Sequence, residues 1–167
     1  EMKDLAGKVA VVTGSASGMG FAFANRFAEE GMSVVLADIE AEPLAMAEAA
    51  IKANGARVLA VRTHVHQDGD VEKLAEAAFR TFGNVHVVCN NAGVSGTSGK
   101  PVWEAPQEDW DWVFGVNFWG VLRGIRAFVP RMIANGEEGH IVNTASVAAY
   151  DGQIGQAAYA ASKAAVV

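Results

Sequence analysis

The stretch from Lys8 to Gly20, KVAVVTGSASGMG, decides the fold. A Val-rich run ends at Thr13, glycines follow at positions 14, 18 and 20, and a helical pattern starts at Gly18. Apolar runs without alternation belong to strands covered on both faces, as in a parallel sheet. A glycine loop between such a strand and a helix provides a tight turn, a backbone open to close approach, and a helix N-terminus whose free N–H groups and dipole favour an anion. Gly14 is expected to supply the turn, Gly18 the close approach and Gly20 the tight packing of helix on strand. The anion implied by this combination is a dinucleotide pyrophosphate.

The same alternation continues outward from this loop. Runs at 33–38 (SVVLAD), 57–62 (RVLAVR), 85–90 (VHVVCN) and 140–145 (HIVNTA) read as further strands, and 18–30, 42–54, 68–82 and 108–135 as helices, with a last helix opening near Ala157. Gly31, Gly55 and Gly83 stand where helices end, and Pro130 is expected to kink or shorten the fourth helix. Strands alternating with helices predict a doubly wound α/β domain, a Rossmann fold with strand order 3-2-1-4-5. The segment 94–107 is the only long loop, and there is no repeat or low-complexity tract.

At the end of the second run stands Asp38, eighteen residues beyond Gly20, where a carboxylate can accept the hydroxyls of an adenosine ribose. A 2′-phosphate there would be repelled by the carboxylate, and Ser15, Ala16, Ser17 and Ile39 offer no cation to hold it. NAD is therefore expected, and NADP disfavoured.

The 167 residues fit one globular domain, 51% hydrophobic and 19% charged. Thirteen Lys and Arg against nineteen Asp and Glu give a net charge of -6, opposite in sign to a nucleic-acid binder. Arg123 and Arg126 interrupt the greasiest stretch before it reaches a membrane span, and the charged N-terminus lacks a signal-peptide core. The single cysteine, Cys89, makes no internal bridge, which favours a reducing, cytoplasmic setting.

Taken in order along the chain, these features resemble the classical short-chain dehydrogenase/reductase family. TGSASGMG at 13–20 matches its TGxxxGxG loop, NNAG at 90–93 its fourth-strand motif, and Ser146 with YAASK at 159–163 its active-site pattern. Asn117 matches the remaining member of the family's catalytic tetrad. The resemblance spans essentially the whole sequence and implies oxidation of a secondary alcohol, or reduction of its ketone, by NAD. It points to Asn117, Ser146, Tyr159 and Lys163 as the catalytic set. Cofactor contacts are implied at Gly14, Ser15, Ser17, Gly18, Met19, Gly20, Asp38, Val65, Asn91, Ala92 and Gly93, and at Tyr159 and Lys163 themselves. A homodimer or homotetramer is implied as well.

The spacing supports these roles physically. Tyr159 and Lys163 are four apart and share a helix face, so the ammonium can stabilise a developing phenolate. Free tyrosine titrates near pH ~10, too high for a base at neutral pH, and a cation is the needed correction. Ser146, at a strand's carboxyl end, is placed to hydrogen-bond the substrate oxygen. By resemblance, Lys163 also holds the nicotinamide ribose and Asn117 positions a relay water. An NADPH-dependent 3-oxoacyl reductase of the same family is the alternative enzyme. A dinucleotide-binding module without catalysis is the alternative of another class, and the complete tetrad argues against it.

Four other features are read as structural. His64 and His66 lack a third metal ligand at a useful spacing, so no metal is expected. His64 stands where the family often has an aspartate near the adenine. Cys89 reads as a small core residue, and Trp110, Trp112 and Trp119 as core or subunit packing. Family members continue past the position of Val167 into further strands, so 1–167 is expected to be a single dinucleotide-binding domain cut short at its C-terminus.

Overall fold

The computed structural model describes residues 2–96 and 98–167. Five strands form one wholly parallel sheet in the order β3-β2-β1-β4-β5: β1 Val9–Thr13, β2 Ser33–Asp38, β3 Val58–Arg62, β4 Val87–Asn90 and β5 His140–Asn143. Helices α1 Gly18–Glu29 and α2 Ala41–Ala53 link the first three strands, and α3 Asp70–Phe82 leads into β4. The predicted strand order and doubly wound architecture are those observed.

Alternation along each strand divides the core into two halves. Val9 and Val11 of β1 and Val35 of β2 face one way, against Leu74 of α3 and Phe128 further along the chain. Ala10 and Val12, with Val34 and Leu36, face the other way, against Ala24 of α1 and Ile51 of α2. Every residue of β1 is buried, which explains why its sequence shows no polar alternation. β5 differs: His140, Val142 and Asn143 are exposed, because among the described residues it pairs on one side only, with β4. It is also shorter than the 140–145 run suggests.

The expected fourth helix comes in three pieces. These are α4 Gln107–Phe114, a π-helical turn Gly115–Trp119, and α5 Gly120–Asn135. The expected shortening at Pro130 is corrected here, since α5 continues through it to Asn135. The missing proline N–H orphans a carbonyl one turn earlier, at Arg126, and both residues lie exposed on the solvent face, where water can satisfy it. The break falls instead at the π turn that carries Asn117. A 3-10 turn, Val147–Ala149, and α6, Ala157–Ala164, complete the described structure.

β1 has β2 on one flank and β4 on the other, so the direction of winding reverses beside it. A crevice opens there at the strands' carboxyl ends.

Candidate active site

The glycine loop turns from β1 into α1 with Gly14 at φ 65° and Gly18 at φ 54°, in the left-handed region where a Cβ is unfavourable. Gly20 has no such constraint; its reason is proximity. A Cβ on Gly20 would lie 2.0 Å from the Gly14 carbonyl oxygen and 2.7 Å from Asn91 Nδ2. The first turn of α1 therefore sits directly on the loop it emerges from, and its N-terminal N–H groups face the crevice mouth.

The Asn91 side chain fastens this corner. Its Nδ2 donates to the carbonyls of Thr13 (3.0 Å) and Gly14 (3.3 Å), while its Oδ1 accepts from Thr144 Oγ1 (3.3 Å). Asn90, fully enclosed, reaches sideways to Asn143 at 2.9 Å and so ties β4 to β5. A Cβ on Gly124 of α5 would lie 2.0 Å from Asn90 Oδ1, so that helix can rest on the strand only through a glycine.

A cavity of about 470 Å³ opens over this corner. Gly14, Ser17, Met19, Gly20, Asp38 and Val65 line one part of it, and Asn91, Ala92 and Gly93 another. Two of the loop residues singled out from the sequence are not in the lining. Ser15 is fully buried, its hydroxyl donating to the Ala37 carbonyl at 3.3 Å and accepting the Ala37 N–H at 2.9 Å. Gly18 is exposed, with open space where a Cβ would stand.

Asp38 is held by the backbone around it: Oδ2 accepts the Ala16 N–H at 2.9 Å and Oδ1 the Glu40 N–H at 3.1 Å. A carboxylate offers about four lone-pair sites, so both oxygens keep capacity for further donors.

Sequence reasoning missed several wall residues, among them Thr63, His66 and Trp112; His64, set near the adenine by resemblance, lines the wall with them. His66 packs edge-on against Trp112, with ring centroids 4.8 Å apart and an interplanar angle of 75°. Burial, and then the neighbouring His64 and Arg123, push the His66 imidazole below its ordinary proton affinity. His64 Nδ1 is buried without a hydrogen-bond partner among the described residues. Trp112 thus belongs to the cavity rather than only to packing, whereas Trp119 is 46% exposed. A helical stripe at 110, 112 and 119 carries no signal for that difference. Among the described residues no group of three or more His, Cys, Asp or Glu side chains could hold a metal ion. Cys89 is buried in β4, and burial pushes its thiol up to about 11.

Behind Gly93 stand Asn117 of the π turn and Lys163 of α6, neither of which lines the cavity. A Cβ on Gly93 would stand 3.4 Å from both Asn117 Oδ1 and Lys163 Nζ, so these two polar groups flank the NNAG turn. Lys163 is only 4% exposed; its Nζ donates to the Thr144 carbonyl at 2.6 Å and lies 5.8 Å from the centroid of the Tyr159 ring. Desolvation lowers its pKa. Ser146 heads the 3-10 turn, and its Oγ accepts the Ala148 N–H at 3.2 Å, which leaves its own proton to donate. α6 packs against that turn, against α4 and against the π turn, so the elements that carry Ser146, Asn117 and the pair Tyr159 and Lys163 meet from three parts of the chain.

Asn117 is fully buried and its amide NH2 is saturated. Oδ1 accepts the Val94 N–H at 2.8 Å, and Nδ2 donates to the Val94 carbonyl (2.9 Å) and to Ser162 Oγ (2.9 Å). Both amide protons are spent within the protein. Side-chain bonds to residues 23 and 45 positions away hold this residue in the π turn, and π-bulges are frequent at functional sites.

Residues 8–167 match the family model described as short chain dehydrogenase. The chain is 49% identical over 156 residues to 1-deoxy-11-beta-hydroxypentalenate dehydrogenase of Streptomyces arenae, covering 93% of this chain and 55% of that protein. It is 37% identical over 163 residues to 3beta-hydroxysteroid dehydrogenase 2 of Eggerthella lenta, covering 98% of this chain and 62% of that one. A solved short chain dehydrogenase/reductase from Burkholderia phymatum, in complex with NAD, superposes with a TM-score of 0.95 at 47% identity over 99% of this chain and 58% of its own. The chain thus spans little more than half the length of the relatives it matches most extensively.

Proposed function

On the premise that this chain belongs to the short chain dehydrogenase family, we propose that it is the cofactor-binding and catalytic part of an NAD-dependent oxidoreductase of secondary alcohols and ketones. The observation that carries the reading is the buried Lys163, enclosed beside Gly93 and Asn117 and one helical turn from Tyr159. A buried ammonium is costly unless it has work to do, and its placement suits a partner that becomes negative during reaction. Alcohols appear in the names of the relatives, and one related structure holds NAD.

The residues present fit a dinucleotide. Gly14 and Gly20 leave the crevice floor free of side chains, the N-terminus of α1 offers N–H groups to a pyrophosphate, and Asp38 offers carboxylate oxygens to a ribose. Val65 would bound the adenine and Ala92 and Gly93 the nicotinamide side. When bound, the nicotinamide supplies the acceptor or donor of a hydride, a capacity no side chain has.

The protein's part is proton transfer and orientation. In oxidation, Tyr159 Oη takes the hydroxyl proton of the alcohol; in reduction it returns that proton to the ketone oxygen. Lys163, held by Thr144, stabilises the phenolate electrostatically and has further N–H groups for the nicotinamide ribose. Ser146 Oγ donates its uncommitted proton to the same substrate oxygen as charge develops there. Because both amide protons of Asn117 are spent, its share of a proton relay is assigned to the main chain of the π turn. Assembly as a homodimer or homotetramer is part of this reading, supported by the exposed Trp119 and Ile133 on the outer helices.

The test is Tyr159→Phe in the full-length protein, assayed against a panel of secondary alcohols with NAD. Turnover should fall by at least ~10²-fold while NAD binding persists, since the ring does not carry the dinucleotide. Turnover within twofold of the parent would sink the assignment.

A further inference from the structure

We propose that Ser162 is a positioning residue for the proton-transfer step: its hydroxyl couples the π turn at Asn117 to the backbone of Tyr159 and so fixes where the phenol stands. The inference rests on the reading of Tyr159 as the proton-transferring group. Ser162 itself is fully buried and does not line the cavity, so nothing about it suggests contact with a ligand.

Hydrogen-bond directions along this path are forced. A backbone N–H, that of Val94, can only donate, so the Asn117 atom 2.8 Å from it is the amide oxygen and the other end of the amide is the NH2 group. That NH2 donates to Ser162 Oγ at 2.9 Å. Ser162 Oγ has a single proton, and it goes to the Tyr159 carbonyl, 2.8 Å away. Val94, Asn117, Ser162 and Tyr159 are thus linked in one series in which every proton is assigned. The series begins on the cavity wall at Val94, immediately after the NNAG turn, and ends on the backbone of the tyrosine.

Two features make this bond consequential. α6 is eight residues long, too short to hold its shape without tertiary support, and Tyr159 lies in its first turn, which Ser162 joins to the Asn117 amide. The position of that turn depends on what holds it from the side, and the Asn117 amide does so through Ser162 Oγ. Lys163, in contrast, is anchored separately, through Nζ to the Thr144 carbonyl at 2.6 Å. Loss of the Ser162 hydroxyl therefore frees Tyr159 to move while the ammonium stays where it is. The pair that must cooperate drifts apart, and the phenolate loses part of its electrostatic support.

The experiment uses the full-length enzyme carrying Ser162→Ala, Asn117→Ala and both together, with Tyr159→Phe as the control for the underlying reading. Rates are normalised to the fraction that binds NAD, and the best-oxidised member of a secondary-alcohol panel is the substrate. For Ser162→Ala, kcat should fall about 10- to 100-fold, the range expected when a reacting group is displaced by about 1 Å. KM and the NAD dissociation constant should stay within twofold, and the acid limb of the pH–rate profile for oxidation should move to higher pH. The double variant should be no worse than the more damaged single variant, as for residues acting in series. If Ser162→Ala does not accumulate as NAD-binding protein, Ser162→Cys, which keeps the size and weakens the donor, should show a smaller shift of the same limb. An unmoved acid limb, or losses that multiply in the double variant, would overturn the positioning role even where Tyr159→Phe is inactive. A Tyr159→Phe enzyme with parental turnover would overturn the reading beneath it.

Discussion

Replacing Gly20 by alanine should damage the fold far more than the binding chemistry, and replacing Gly18 should do the reverse, although the two stand one residue apart in the same loop. An alanine Cβ at position 20 would meet the Gly14 carbonyl oxygen at 2.0 Å and Asn91 Nδ2 at 2.7 Å, and the first of these is backbone that cannot rotate away. α1 would have to retreat by about 1 Å, a form of overpacking that costs ~1–3 kcal/mol. The retreat also disturbs the two bonds from Asn91 to Thr13 and Gly14, each of which contributes ~1 kcal/mol. Together these give a loss of about 3–5 kcal/mol, a large share of the ~5–15 kcal/mol that stabilises a typical protein. At about 2–4 °C per kcal/mol, the melting temperature should fall by about 6–20 °C. At Gly18 a Cβ meets nothing within 4 Å, so the cost is the left-handed backbone alone, ~1–2 kcal/mol. The same open space, outside the cavity lining, is where the proposed reading lays the pyrophosphate, so the new methyl should lower NAD affinity at least ~10-fold. Circular dichroism melts, with NAD titrations followed by the fluorescence of Trp112 in the cavity wall, measure both quantities on each variant. A Gly20→Ala protein melting within about 2 °C of the parent, or one more stable than Gly18→Ala, would refute the packing argument.

Asp38→Ala should narrow or reverse a preference for NAD over NADP, by removing both ribose acceptors and the repulsion of a 2′-phosphate; tighter NADP binding by the unmodified protein, in a direct comparison of dissociation constants, contradicts this. Lys163→Met should abolish turnover yet leave the melting temperature at pH 7 unchanged or raised, by up to about 1 kcal/mol of stability, because it removes a buried charge. Burial lowers the Lys163 pKa, so between its folded value and the ordinary lysine value the unfolded chain binds more protons, and this residue's contribution makes the parent more stable as pH rises through that window. The methionine variant lacks that rise, and melts at pH 7 and pH 10 show whether it does.

The fold was legible because the central strands are buried on both faces and so spell out uninterrupted runs, as in VAVVT and SVVLA. Gly14, Gly20, Asp38 and Asn91 were legible for a related reason: the elements that carry them are defined locally, and their order along the chain is their order around the crevice. What escaped the sequence depends on distant partners. The π turn exists where Asn117 bonds to Val94 and Ser162, and no pattern within Gln107–Asn135 reveals those contacts. Pro130 misled for the opposite reason, since its local rule holds but the carbonyl it orphans, at Arg126, belongs to an exposed residue open to solvent, which removes the penalty. Ser15 was read as a ligand contact from its place in the loop, yet its hydroxyl closes on the β2 backbone at Ala37. His66 and Trp112 meet in the cavity wall only because the β3–α3 connection folds against α4.

The π turn at Gly115–Trp119 also acts as an angular offset between two helices. Successive residues of an α-helix are ~100° apart around its axis, and a π turn accommodates one residue more than the regular ladder would. Deleting a single residue there would therefore not shorten the element harmlessly; it would rotate α5 relative to α4 by about that angle. Gly124 would leave its place over Asn90 and a neighbour with a side chain would be driven at a site where even a Cβ comes within 2.0 Å. Arg123 would swing away from Asp68, which it now meets at 2.7 Å. A library of one-residue deletions across 94–135 should accordingly show two regimes. Losses in the loop ahead of α4 are absorbed, while losses within the turn are as damaging as a core substitution, even though the nearest strand is not touched.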